Sequence, residues 1–415
     1  MRWALLGHEH AITFLHIDCE GLGTDLLVAD GGKVWGFLRE RLGNPLSSIN
    51  FFLKDTFRLD EVLDSSDYDF EAVALRPRDR LFMMPCQPHF VFGYAHTICL
   101  GGHYYLSNQM QQTLRGLIHS FILHKFLTNT SHPTRVLLRR MILFYHMGLL
   151  EDEIPESGVL SVSPISFLSY MHKTDPATSH LPNVKDIDGL MNLLSACVLV
   201  ILGNVLDFRT YRAPSQEEYT KADKNQQILI DNEINTIPVN ERLAICYARG
   251  VALRLVNWIR HCSVITGPGG AIIDDLPSRF FVQIAQALIK YKEGANNSRL
   301  DLEANCTLDM LIKQVNNVVA VDPQISSLWS ERDLLSSDSL ELANQGEYSV
   351  QWLPDAQRKW SSIGYDFFRD GVTGLDEHYF NAQKDRQLLE SSLVIPQLKT
   401  FSSASRHSSK RARLG

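Results

Sequence analysis

Two patterns of apolar residues divide the chain. Up to about residue 105 the apolar positions fall in short runs rich in β-branched, aromatic and leucine residues: RWALLG, AITFLHI, DLLVAD, KVWGFL, AVALR, RLFMMP, HFVFGY and TICLGGHYYL. Gly, Asp, Pro or charged residues break the runs apart, as turns break short strands. From about Leu106 apolar residues recur at three and four, in NQMQQTLRGLIHSFILHKFL, TRVLLRRMILFYHMGLL, DIDGLMNLLSACVLVILGNVLDF, NERLAICYARGVALRLVNWIRHC and RFFVQIAQALIKYKEG. These have helical length and an apolar face. The first part predicts a small β-sandwich or barrel and the second a helical region, with no fixed-period repeat to suggest a solenoid.

Between the strand-like runs, the acidic RLDEVLDSSDYDFE (58–71) reads as a surface loop or short helix. The end of the chain, FSSASRHSSKRARLG, is Ser-rich, basic and without apolar period, and is expected to be a disordered tail. Its KRAR (Lys410 to Arg413) offers a nuclear import reading, the alternative being the cytoplasm. The apolar stretch 189–205 is shorter than the ~20 residues a spanning helix needs and contains Asn192, Ser195 and Asn204, so it predicts a buried helix and no membrane association.

Composition narrows the classes. The 415 residues are 45% hydrophobic and 21% charged, enough for a large core in two domains or one domain with a long appendage. A net charge of −7 offers phosphate backbones no general attraction, so direct nucleic-acid binding is not expected. Seven scattered cysteines, none in a C-x-x-C pair, argue for a reducing compartment and against a zinc module. No basic, apolar, cleavable leader opens the chain.

The candidate chemistry starts in TFLHID. Successive strand residues alternate faces, so His16 and Asp18 share one and Ile17 takes the other. An imidazole and a carboxylate suit a borderline divalent ion. Two histidines with one carboxylate on a triangular face leave coordination positions open. The second histidine has candidates in His89, His96 and His103, while His8 and His10 in LGHEH sit near a turn and read as solvated. By itself the H-x-D pair is better read as a histidine hydrogen-bonded to a nearby carboxylate or as a solvent-facing pair.

Read together, ITFLHIDCEGLGTDLLVADGGKVWGFL and PCQPHFVFGYAHTICLGGHYYLSNQMQQTLRGLIHSF resemble the JmjC family of Fe(II)- and 2-oxoglutarate-dependent oxygenases, in versions found in fungi, over roughly Trp3 to Thr130. The fold class is then α+β: the resemblance implies a double-stranded β-helix (cupin or jelly-roll) barrel over 1–130, while the apolar period gives a helical region of unassigned role over 131–393 and the composition a basic tail over 394–415. The resemblance also implies His16, Asp18 and His89 as ligands of Fe(II), with Thr13 and Lys33 on the 2-oxoglutarate co-substrate and O₂ as the second co-substrate. Thr13 is odd-spaced from His16 and needs a bulge or twist to face the same pocket. A buried Lys33 ammonium needs a partner, which the distal carboxylate of 2-oxoglutarate would supply. His103 stands in GGH where demethylase-active members carry Asn, and is expected beside the ligands rather than among them.

The implied activity is hydroxylation or N-demethylation of a protein or peptide substrate, such as a histone tail, with 2-oxoglutarate decarboxylated in the same turnover. One other class stays open at this point, a non-catalytic, chromatin-associated interaction protein that keeps the barrel; a zinc hydrolase on the same three ligands is disfavoured, since it leaves Lys33 and the surrounding motif unexplained. The family usually carries structure before the first barrel strand, whereas the first strand here begins at about Arg2. Cover from the helical region, or an apolar face left for a partner, is therefore expected. Gly21 and Gly23 are expected to turn the chain after the ligand pair, and Gly101 and Gly102 to permit close backbone approach. Arg139, Arg140, Trp258, Trp329 and Trp360 read as solvated arginines and helix-packing tryptophans.

Overall fold

A computed structural model describes residues 2–40, 68–127, 135–150, 181–212, 216–221, 224, 237, 239–297, 306–330 and 348–353. The acidic run at 58–67, Trp360 and the basic tail lie outside them. All eight strand-like runs form strands: β1 (Arg2–Gly7), β2 (Ile12–His16), β3 (Gly23–Asp30), β4 (Lys33–Glu40), β5 (Tyr68–Leu75), β6 (Arg80–Met83), β7 (His89–Gly93) and β8 (Thr97–Tyr104). β5 begins four residues earlier than the sequence suggests. Its ladder with β4 runs from Lys33↔Leu75 to Glu40↔Tyr68, so backbone pairing draws Tyr68–Glu71 out of the expected loop.

The strands make two antiparallel four-stranded sheets, ordered β1-β8-β3-β6 and β2-β7-β4-β5. β1 pairs with β8, β2 with β7, β3 with β6 and β4 with β5, so the strands nest like one long hairpin bent at β4–β5. Two further ladders, β3 with β8 and β4 with β7, roll that hairpin up. Among the described residues no ladder joins the two sheets, so they are open sheets and not the closed barrel of the expectation. Leu26, Val28, Trp35, Leu75, Met83, Val91 and Cys99 fill a small core of their own.

Five helical stretches expected from the sequence are helices: α1 (Met110–Leu127), α2 (Arg135–Leu150), α3 (Ile187–Ile201), α5 (Val239–Cys262) and α6 (Leu276–Asn297). In α3 every residue except Asp188 is buried, as its all-round apolar sequence requires, and no described helix is long and apolar enough to cross a membrane. The sequence reading did not single out α4 (Gln216–Lys221), α7 (Leu308–Val319), α8 (Pro323–Ser330) or the pairing of β9 (Ser263–Thr266) with β10 (Ser349–Trp352). Thr307 starts α7 by accepting a hydrogen bond from Met310 N at 3.2 Å.

The larger core lies among these helices and takes in Leu15, Ile17 and Leu38 from the strands. That contact decides which way β2 faces. Leu15 and Ile17 turn to the helices, so His16 and Asp18 turn to the opposite side. The helices thus cover one corner of the sheets. Beyond it, Leu6 is 78% exposed, Phe82 65% and Ile12 59%. Trp258 is buried with its ring 4.2 Å from that of Trp352, and Trp329 donates to Asn316 Oδ1 at 2.9 Å. Arg139 departs from the solvated reading: it is mostly buried and lies 3.5 Å from Glu241. None of the seven cysteines is in a disulfide among the described residues.

Candidate metal centre between the sheets

Cross-strand partners share a face, so the ladders show what lines the space between the sheets. Thr13 lies opposite Val91, which lies opposite Trp35. Lys33 lies opposite Gly93, and both His16 and Phe37 lie opposite His89. Residues 89, 91 and 93 alternate with their neighbours on β7, and Thr13, His16, Lys33 and His89 therefore share one face. The odd spacing of Thr13 and His16 is reconciled by a break in register between them, where β2 carries one residue more than β7.

Three ligand atoms converge there. His16 Nε2 and His89 Nε2 each lie 3.9 Å from Asp18 Oδ1. An ion at about 2.0–2.2 Å from each atom would draw neighbouring ligands to about 3.0 Å of one another, so the cluster would close around it. Among the described residues this is the one group of three metal-capable side chains so arranged. The atoms not facing the cluster are engaged elsewhere. His16 Nδ1 is 2.8 Å from the Phe14 carbonyl, and His89 Nδ1 is 3.0 Å from that of Gln87. A carbonyl can only accept, so both Nδ1 atoms carry the proton and both Nε2 lone pairs are free to ligate. Asp18 Oδ2 accepts from the Thr24 hydroxyl, which leaves Oδ1 for the ion.

Burial, reinforced by His16, holds the His89 imidazole down at about pKa 4, with Asp18 opposing. His89 is therefore neutral near pH 7, the form that binds metal.

The other expected residues sort themselves by place. His103 Nδ1 is 2.9 Å from Thr24 Oγ1 and 4.0 Å from Asp18 Oδ2, so it stands behind the carboxylate. His96 accepts from Glu9 N and its ring lies beside that of His8, while His10 is an exposed turn residue with φ 63°; none of these three joins the cluster. Gly101 lies under the Trp3 ring, which a Cβ would strike, in keeping with the expected close approach.

Lys33 is 5% exposed, and a Cβ on Gly7 of the facing sheet would lie 3.1 Å from its Nζ. Its ammonium is 5.9 Å from the Trp35 ring centre and meets no carboxylate among the described residues. Two more donors nearby have no acceptor, the indole N–H groups of Trp3 and Trp35. Sequence reasoning missed Thr24, Trp3 and Trp35. Strand alternation from Leu26 and Val28 back to Thr24 was the available signal for the first. Nothing local marks an indole as unpaired. A buried ammonium and two buried N–H groups would each gain a partner from an anion bound beside them.

Neither protein-family models nor curated proteins match this chain.

Proposed function

We propose that the chain is an Fe(II)- and 2-oxoglutarate-dependent oxygenase of JmjC type, acting on a protein or peptide, with the eight strands as a jelly roll. The nested strand pairing supports the fold, since rolling one long antiparallel hairpin is how an eight-stranded jelly roll arises. The observation that carries the function is the shared face on which His16 Nε2, His89 Nε2 and Asp18 Oδ1 converge and which also carries the buried Lys33 ammonium, without a carboxylate partner among the described residues. A structural histidine–aspartate pair explains the first feature and leaves the second as a cost without return.

In this reading His16, Asp18 and His89 hold Fe(II), which supplies activation of O₂ for hydrogen removal from carbon. Lys33 pairs with the distal carboxylate of 2-oxoglutarate, and Thr13 on the same face is placed to donate its hydroxyl. Thr24 fixes Asp18 through Oδ2, so that one oxygen serves the ion and coordination positions stay open. Trp35, close to parallel with His89 at a ring separation of 6.5 Å, shields that imidazole from water. A hydroxylated N-methyl group would collapse to amine and formaldehyde, whereas a hydroxylated side-chain carbon would persist.

The test is an anaerobic titration of the purified chain with Fe(II) and 2-oxoglutarate, followed by the visible charge-transfer band of the chelate. The band is expected in the wild type, absent in His16→Ala and weakened in Lys33→Ala. A folded wild type without the band sinks the proposal. It would then favour an interaction protein, the second reading, for which the exposed Leu6, Phe82 and Ile12 speak.

A further inference from the structure

The turn that follows Asp18 is held by helices. Residues Cys19–Gly21 form a single 3-10 turn in which Glu20, not a glycine, adopts the left-handed region at φ 58° and ψ 18°. A side chain is rarely kept in that region unless its surroundings hold it there. Three contacts do so. Glu20 N donates to Ser120 Oγ on α1 at 3.2 Å. The Glu20 carboxylate takes a fork of two hydrogen bonds from Arg135, the first residue of α2, at 2.8 Å from Nε and 3.3 Å from Nη2. The Gly21 carbonyl accepts from Thr113 Oγ1 on α1 at 2.8 Å, and Gly21 itself, at φ 59°, lies so close to the Thr113 backbone that a Cβ would collide.

Arg135 also donates through Nη1 to the Leu206 carbonyl, just beyond the end of α3. Its side chain is 19% exposed and that of Glu20 12%. A forked pair so enclosed fixes direction as well as distance. Helices that served only to cover apolar strand residues would need Leu15, Ile17 and Leu38 and no more. The ion pair instead grips the chain two residues after a proposed ligand.

We propose that Glu20 and Arg135 are positioning residues for Asp18, through which the helical region sets the geometry of the metal centre. This rests on His16, Asp18 and His89 being metal ligands. Asp18 is then held from two sides, by the Thr24 hydroxyl at its carboxylate and by the clamped turn at its backbone.

Co(II) titration of the full chain, read by visible absorption, tests it on the wild type, Glu20→Gln, Arg135→Lys and Ser120→Ala, with circular dichroism to confirm folding. Glu20→Gln is expected to bind Co(II) at least tenfold more weakly and to alter the shape of the absorption band, which a merely structural role would leave unchanged. Arg135→Lys keeps the charge and is expected to lose less. A folded Glu20→Gln that binds as the wild type does, with the same band, overturns the proposal. Should Glu20→Gln fail to fold, Ser120→Ala, which removes the hydroxyl that accepts from Glu20 N and donates to the Gly116 carbonyl within α1, carries the same two outcomes. A wild type that takes up no Co(II) removes the metal reading itself, a result distinct from either.

Discussion

The two faces of the same strands are built in opposite ways. In an ordinary antiparallel sandwich the inward face is apolar and the outward face polar. Here the inward face carries Thr13, His16, Thr24, Lys33, His89 and His103 beside its small core, while Leu6, Ile98, Leu100 and Phe82 look outward and are exposed. Polar groups cost free energy when turned inward and apolar groups gain nothing when turned outward, so stability explains neither choice. The proposed metal centre would account for the inward face, and an apolar partner would account for the outward one.

The sharpest way to break this contrast is a pair of equal truncations. Leu26→Ala, at a fully buried inward position, is expected to cost about 2–5 kcal/mol, whereas Leu6→Ala should cost less than about 0.5 kcal/mol, both read by urea unfolding. Similar losses would mean that the outward face is packed in solution. Next in size is Asp18→Ala, expected to weaken Co(II) binding at least a hundredfold, or about 2.7 kcal/mol, without lowering the melting temperature of the metal-free chain. Lys33→Met should raise stability by about 1 kcal/mol by removing a buried charge that meets no carboxylate among the described residues, and should weaken 2-oxoglutarate binding measured by calorimetry.

A pH dependence accompanies these. Burial, with Arg115 adding to it, lowers the His119 imidazole to about pKa 3, against about 6.5 in the unfolded chain. Below pH 6.5 the unfolded state then binds more protons than the folded one. This contribution to stability is complete above 6.5 and is lost as pH falls from there toward 3. His119→Asn is expected to flatten that part of the stability profile. The smallest effect belongs to Phe82→Lys on the outward face, which should leave unfolding unchanged while reducing binding of a hydrophobic dye.

Much of this was legible in the residues. Short apolar runs and their breaks specify all eight strands, because local propensity and alternation agree there. His16 and Asp18 on one strand face, with Leu15 and Ile17 on the other, follow from a period of two. The need for a bulge between Thr13 and His16 follows from the same period, and the ladder contains one. What pairs with what was less legible. β9 meets β10 across 83 residues at Thr266 and Ser349, and Glu20 meets Arg135 across 115, distances over which no pattern in a single sequence speaks. Arg139 looked solvated because an arginine on a helix usually is, and only the approach of Glu241 on α5 turns it inward.

The nesting of the strands has a consequence in time. β1 ends opposite the start of β8, Gly7 against Thr97, and the ligands sit on the next pair inward, at the end of β2 and the start of β7. Contacts so distant along the chain form late, since the entropy of closing the intervening loop must be met before they return anything. The three proposed ligand atoms would therefore meet only when most of the sheet already exists, which leaves an ion no site to bind in the transition state for folding. Metal added to the denatured chain should leave the rate of folding as it was, and lengthen the life of the folded state by slowing its unfolding alone.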